Sequence, residues 1–307
     1  MKKVLSIILS MVVLVSLAGG AAAESGREGF VNTGKLTYDV NAQVNNGDEM
    51  TLEFWVQVEV AEIYQKWCDA YTALHPNIKF NLTQGSNADH FQKLGMALPS
   101  GTGPQLFHMH NSYIDQFMAN LKPYDPEIIP LDALGEDFIA VDECLYGGNL
   151  YYAGLAVMSC GVFYNTQMWA DAGLNDDDIP KTWDELAQVA KKLTQYDSSG
   201  KVAVAGFNYN EMSMEYLITA LNYHKGIPMF AADGRTPVFN DGFKATVQWL
   251  KDLYEVENAG SVELPMSILS FSQGTSAMTY IGTWFGNWMK QNAPDMGYSF
   301  FMLPSVD

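Results

Sequence analysis

Cysteine is scarce in this chain: three among 307 residues, Cys68, Cys144 and Cys160. An odd number this small argues against a disulfide-stapled scaffold and permits at most one bridge. All three fall in apolar, patterned segments and read as small buried residues. Positive charge is also short, with 17 Lys and Arg against 35 Asp and Glu and a formal net charge of -18. So acidic a surface repels phosphodiester backbones and anionic lipid, so nucleic acid and membrane surfaces are not expected partners, and a neutral or cationic ligand fits better. No H-E-x-x-H, no G-x-S-x-G, no phosphate-cradling glycine loop and no internal repeat occurs, which leaves the common hydrolase and nucleotide-binding signatures without support.

At the N-terminus, Lys2 and Lys3 precede an almost wholly apolar stretch from Val4 to Leu17, and Ala21-Ala22-Ala23 supplies small residues for cleavage. This is the pattern of a secretory signal peptide over 1–23. Its apolar core falls short of the about 20 residues that a membrane span needs. No Cys follows it, so no lipid-modified N-terminus is expected at the cleavage point. Loss of Lys2 and Lys3 takes the net charge to -20. With 48% hydrophobic and 13% aromatic residues, the remainder can bury one large core or two smaller ones.

Residues 24–49 are rich in Gly, Asn, Glu and Asp without a sustained period, and read as a flexible lead into the fold. Thr51 to Gln57 is a strand. A helix follows with apolar positions at Val60, Ile63, Trp67, Tyr71 and Leu74, ended by Pro76, and Ile78 to Thr83 alternates as a second strand. That βαβ beginning predicts parallel pairing and a layered α/β unit. Further helices are predicted over Asp89 to Leu98 and Ser112 to Asn120, with a short strand between them at Gln105 to Met109. Residues Tyr152 to Tyr164 read as two strands. Thr182 and Glu185 form a capping box for a helix from Trp183 to Gln195, and Asp197 to Gly200 is a turn before a strand at Val202 to Phe207. Helices follow at Met212 to Tyr223 and Gly242 to Glu255, the latter presenting Phe243, Val247, Leu250 and Tyr254. Strands are expected at Ser276 to Ile281 and Gly297 to Leu303, with a helix starting after Trp284.

The order of these elements carries local words: Phe91-Gln92-Lys93-Leu94, the step Leu98 to Pro104, Tyr146 to Tyr151, Val162 to Asn165, Ala172-Gly173-Leu174, Pro180 to Leu186, Phe271 to Gly274, Gly282-Thr283-Trp284 and Leu303-Pro304. In this order and spacing the chain resembles the extracellular solute-binding proteins of ATP-driven (ABC-type) importers, in particular the sugar-binding, maltose-binding-like group. The resemblance implies a type II periplasmic-binding-protein-like α/β fold of two lobes with a hinge. The lobes would be 50–157 and 158–304, with the chain crossing at Met158 to Cys160. Members usually continue for about a hundred residues beyond the Leu-Pro step. The expectation is therefore a first lobe that is incomplete, with 305–307 starting a missing return crossing. The implied role is capture of a carbohydrate, an oligosaccharide foremost, by a monomeric protein outside the cytoplasmic membrane for a membrane permease, with no cofactor and no catalysis.

In open α/β sheets, loops at the carboxyl ends of strands converge on the ligand. Sugars need aromatic faces for their C–H surfaces and fixed polar groups for their hydroxyls. Trp284 matches the family's aromatic platform, against the alternative of a Trp covering the core. Glu211 stands where the family's acidic residue accepts hydroxyl hydrogen bonds, against that of a solvated turn carboxylate. Gln57 and Glu59 end the first strand where polar residues of the family touch ligand, although Glu59 also suits a helix N-terminus; Trp55, inside the strand, reads as core. His108 and His110 form an H-x-H at the end of a short strand, where alternation puts both imidazoles on the same face; with Asn111 they suit cleft lining, while a metal pair lacks a third ligand, since His75, His90 and His224 show no metal spacing. Gln105 replaces the Asp that relatives commonly carry. Met158, at the crossing, would favour a less hydroxylated ligand face. Two alternatives stay open: a receptor for a polyol, polyamine or metal chelate, and a secreted hydrolase using paired carboxylates or a metal on His108 and His110.

Overall fold

A computed structural model describes residues 30–33, 36–39 and 41–304. The expected signal peptide and the final residues 305–307 lie outside them. The chain divides into two compact units between Val157 and Met158.

The first unit opens with β1 (Phe30–Thr33) and β2 (Leu36–Asp39), paired antiparallel with Phe30 opposite Asp39. Then follow β3 (Met50–Gln57), α1 (Ala61–Leu74), β4 (Ile78–Gly85), α2 (Asn87–Ala97), β5 (Leu106–Phe107), α3 (Ile114–Phe117), α4 (Leu131–Asp137), β6 (Leu145–Tyr146) and β7 (Asn149–Leu150). β3 is the central strand of a parallel sheet ordered β4-β3-β5, with Met50 opposite Ile78, Gln57 opposite Gly85 and Trp55 opposite Phe107. Alternation sends Leu52, Phe54 and Val56 into a core with Cys68, Tyr71, Ile78 and Leu106. Trp55 points the other way and packs on Phe91, Leu94 and Phe117. Each such buried side chain contributes roughly 1.5–3 kcal/mol.

Several expectations are corrected in this unit. Residues 24–49 contain the hairpin, and Val44 is buried in the core while Asn77 Nδ2 donates to the carbonyl oxygens of Val44 and Asp48. One apolar anchor and one bridging amide tie residues 44–48 to this unit. The buried face of α1 is Ala61, Cys68 and Tyr71, with Tyr64 and Trp67 packed beside them, whereas Ile63 and Leu74 are exposed. A 3-10 turn at Val58–Val60 delays the helix and rotates its inward stripe. The helix expected from Ser112 to Asn120 is one α-turn flanked by 3-10 turns at Asn111–Tyr113 and Met118–Asn120. Residues 151–159 form no strand; the two glycines Gly147 and Gly148, both at positive φ, instead turn β6 into β7.

The second unit contains β8 (Cys160–Asn165), α5 (Thr166–Asp171), α6 (Trp183–Leu193), β9 (Gln195–Tyr196), β10 (Val202–Val204), α7 (Met212–His224), α8 (Asp241–Glu255), α9 (Ser267–Ser272), β11 (Met278–Gly282), α10 (Phe285–Asn292) and β12 (Tyr298–Phe301). β8 lies between β11 and β12, antiparallel to both, with Gly282 opposite Cys160 and Tyr298 opposite Asn165. The chain beyond β10 runs parallel to β11 through bridges from Ala205 to Ser276 and Asn208 to Thr279. Val162 and Tyr164 of β8 face a core with Trp169, Leu186 and Phe207, while Phe163 faces Ile268, Phe271, Ile281 and Phe285. Helices thus cover both faces of the sheet, as a layered α/β unit requires.

The capping box is formed: Thr182 Oγ1 accepts from Glu185 N and Glu185 Oε2 from Thr182 N. The inward face of α8 is Thr246, Leu250, Leu253 and Tyr254, and Val247 is exposed. Thr246 can take the core position because its hydroxyl donates to buried Asn222 Oδ1 at 2.8 Å. Gly206 is required by packing, since a Cβ there would sit 1.7 Å from the carbonyl oxygen of Ala190. All three cysteines are free thiols, Cys68 and Cys144 buried and Cys160 half-buried.

Candidate ligand-binding residues

In the first unit the parallel register brings the carboxyl ends of β3, β4 and β5 to one edge. Gln57 is the last residue of β3 and half-buried, and Glu59 is exposed within the 3-10 turn that leads into α1. β5 stops at Phe107, but the amide of His108 still donates to the carbonyl oxygen of Trp55 at 2.8 Å, so the ladder persists one residue further. Gln105 fixes the start of the same strand, its Oε1 accepting from Glu53 N at 2.8 Å.

His108 and His110 are not a strand pair, because the ladder ends at the amide of His108 and His110 lies beyond it. The His108 ring is half-buried among Tyr64, 5.7 Å away, and His90, 6.5 Å away. Its Nδ1 is sealed from solvent with no hydrogen-bond partner. Burial, reinforced by nearby His90 and His110, pushes its pKa down to about 4. His110 is exposed and caps the following 3-10 turn, its Nδ1 lying 2.8 Å from Ser112 Oγ and accepting from Ser112 N; Asn111 is exposed at the start of that turn. Buried His90, on α2, places Nε2 2.7 Å from the carbonyl oxygen of His108. Burial holds His90 below the usual imidazole value, although that carbonyl and the Glu59 carboxylate pull the other way. Among the described residues no group of three His, Cys, Asp or Glu side chains is arranged to hold a metal. A cavity of about 550 Å³ lies between α1 and β4, lined by Gln65, Cys68, Asp69, Thr72 and Lys79, and includes none of the site residues.

In the second unit Glu211, Met158 and Trp284 come to one end of the sheet. Gly282 ends β11 opposite Cys160, and Thr283 N donates to Ser159 O at 2.9 Å, which sets Trp284 beside the start of β8 and the 58% exposed Met158. The indole folds over Gly282, where a Cβ would lie 2.5 Å from its Cδ1 and Nε1. Trp284 is half-buried, its ring 6.0 Å from that of Phe285 and set edge-to-face. Glu211 is exposed at φ 59, ψ -116, a backbone region in which glycine is at ease and glutamate is not.

A buried polar network holds that strained turn. Tyr254 Oη donates toward Asn208 Oδ1 and Asn210 Oδ1, at 3.3 and 3.2 Å, and accepts from Tyr209 N at 2.9 Å. Asn210 Nδ2 donates to the carbonyls of Ser261 and Leu264, and Asn208 Nδ2 to that of Pro265. Neither these supports nor the contact of His90 with the His108 carbonyl was expected from the sequence. The Asn-x-Asn spacing just past a strand was the available signal, because alternation puts both amides on one side.

Residues 57–306 match the family of bacterial extracellular solute-binding proteins, and the chain belongs to that family. Membership implies an extracytoplasmic location, and among the described residues no helix is long and apolar enough to cross a membrane. A maltotriose-binding protein of Pyrococcus abyssi is 27% identical over 150 residues, covering 48% of this chain and 30% of that protein. An arabinooligosaccharide-binding protein of Bacillus subtilis is 26% identical over 260 residues, covering 82% of this chain and 55% of the relative. The chain thus spans about half, or less, of the length of these curated relatives. An ABC transporter solute-binding protein from Thermotoga lettingae, solved with α-D-tagatose, superposes with a TM-score of 0.66 at 22% identity over 84% of this chain and 69% of that one. The fold is that of the type II periplasmic solute-binding proteins.

Proposed function

We propose that the chain captures a carbohydrate, an oligosaccharide foremost, outside the cytoplasmic membrane and delivers it as a monomer to the permease of an ABC importer. Binding is the task, and no bond in the ligand is broken. The observation that carries the reading is the end of the second unit's sheet, where the half-buried Trp284 stands with the exposed carboxylate of Glu211 and the exposed Met158. Stacking surface plus hydroxyl acceptor is what a pyranose needs. At the edge of the first unit, Gln57, Glu59, His108, His110 and Asn111 supply the complementary polar partners. Residues 50–157 and 158–304 act as the two lobes, with Met158 to Cys160 as the hinge. Ligand binding shifts the population toward the conformation for which the ligand has the greater affinity.

Sugar-binding relatives of this fold support the carbohydrate class. Calorimetric titration with mono- and oligosaccharides tests it directly. Saturable binding by an oligosaccharide, weakened at least about tenfold by Trp284→Ala, is expected. Absence of binding across the panel, or turnover of a chromogenic glycoside, would contradict it.

A further inference from the structure

The pairing of His90 with His108 goes beyond a list of polar residues at one edge. A carbonyl oxygen only accepts, so the 2.7 Å contact requires the proton of His90 to sit on Nε2. That bond and the one from His108 N to Trp55 O hold the peptide of His108 on both sides. The ring is then confined between Tyr64 and His90, with Nδ1 sealed and unpartnered. A buried N–H without an acceptor is the costlier orphan, and a bare lone pair the cheaper one. The proton of a neutral His108 therefore belongs on Nε2.

We propose that His90 is a positioning residue that locks the His108 loop, and that His108 presents a neutral Nε2–H donor to an oxygen of the bound solute. This rests on the carbohydrate-binding reading, in which that oxygen is a hydroxyl or ring oxygen. Three ionisable side chains from packed elements bear on the ring: His90 from α2, Tyr64 from α1 and His110 from its own loop; Glu59 acts on His90. Of these, the burial that depresses His108 keeps the imidazole uncharged through the range in which an ordinary histidine titrates.

The test has a ligand-free arm and a binding arm. In the free protein, nitrogen-15 chemical shifts of His108 should report a bare Nδ1 and a protonated Nε2 from pH 8 down to about pH 5. A proton on Nδ1, or titration near pH 6.5, would overturn the assignment whatever the protein binds. In the binding arm, an oligosaccharide is titrated into the full chain. Gln places its amide nitrogen near the position of Nε2 and Asn near that of Nδ1, so His108→Gln should bind within about threefold of wild type. His108→Asn and His108→Leu should each weaken binding by up to about tenfold, the worth of one neutral hydrogen bond. His90→Gln, which keeps a donor, should rescue most of the loss seen in His90→Phe. Equal losses in Gln, Asn and Leu at 108, or full affinity in a folded His90→Phe, would overturn the proposal. Failure of the wild type to bind any carbohydrate would instead overturn the underlying reading, leaving the nitrogen-15 result to stand on its own.

Discussion

Glu211 sits where a side chain is conformationally unwelcome, and its carboxylate is in solvent with no packing role. Backbone strain of this kind costs on the order of 1–3 kcal/mol and persists only where surrounding contacts impose it. Here the Asn208, Asn210 and Tyr254 network imposes it. Glu211→Gly should therefore raise thermal stability by about 1 kcal/mol while weakening carbohydrate binding, measurable by melting and calorimetry. A variant that melts lower, or binds unchanged, would remove the functional explanation of the strain. Histidines provide a second prediction. Burial lowers His75, His90 and His108, the last to about 4, so between about pH 6.5 and 4 the unfolded chain binds protons that the folded chain refuses. Stability should fall as pH drops through that window, and denaturant titrations should show His108→Leu with a shallower fall. At this scale the positions of the candidates relative to strands were legible: Gln57, Glu211 and Trp284 follow strands, and Met158 precedes one. The supporting residues were illegible, because the partners of Asn210 lie 51 and 54 residues away.

Local elements obeyed local chemistry where a motif was complete. The capping box at Thr182 and Glu185 formed as read, and Thr182→Ala should cost about 1 kcal/mol in a chemical denaturation experiment. Gly206→Ala should cost more, about 3 kcal/mol or above, because the obstructing atom is a helix carbonyl and not a movable side chain; a mild effect would mean that α6 can shift. Helix phase was less legible. In α1 a preceding 3-10 turn rotated the buried stripe onto Ala61, Cys68 and Tyr71, and in α8 a threonine with a buried acceptor displaced a valine. Periodicity counts apolar residues, and it cannot see a hydroxyl whose partner is on another helix. The run from Tyr152 to Met158 failed as a strand: only Tyr152 and Val157 are β-formers in it, and Ala153, Gly154 and Ala156 disfavour extended pairing.

Over the molecule as described, two units each gather candidate ligand groups at the ends of sheet strands, the first from a parallel sheet and the second from an antiparallel one with parallel bridges alongside. The α/β class and the parallel opening were legible from alternation and a βαβ order. The antiparallel pairing of β8 with both neighbours was not, since register between strands more than a hundred residues apart leaves no local trace. The central claim, that a carbohydrate is captured by groups at the ends of sheet strands, is tested most directly by amide hydrogen exchange with and without a saturating oligosaccharide that binds in calorimetry. Slowed exchange is expected in two places at once: around Gln57 to Glu59 and His108 to Asn111 in the first unit, and around Met158, Glu211 and Gly282 to Trp284 in the second. Protection confined to other segments, with these unchanged, would contradict the account.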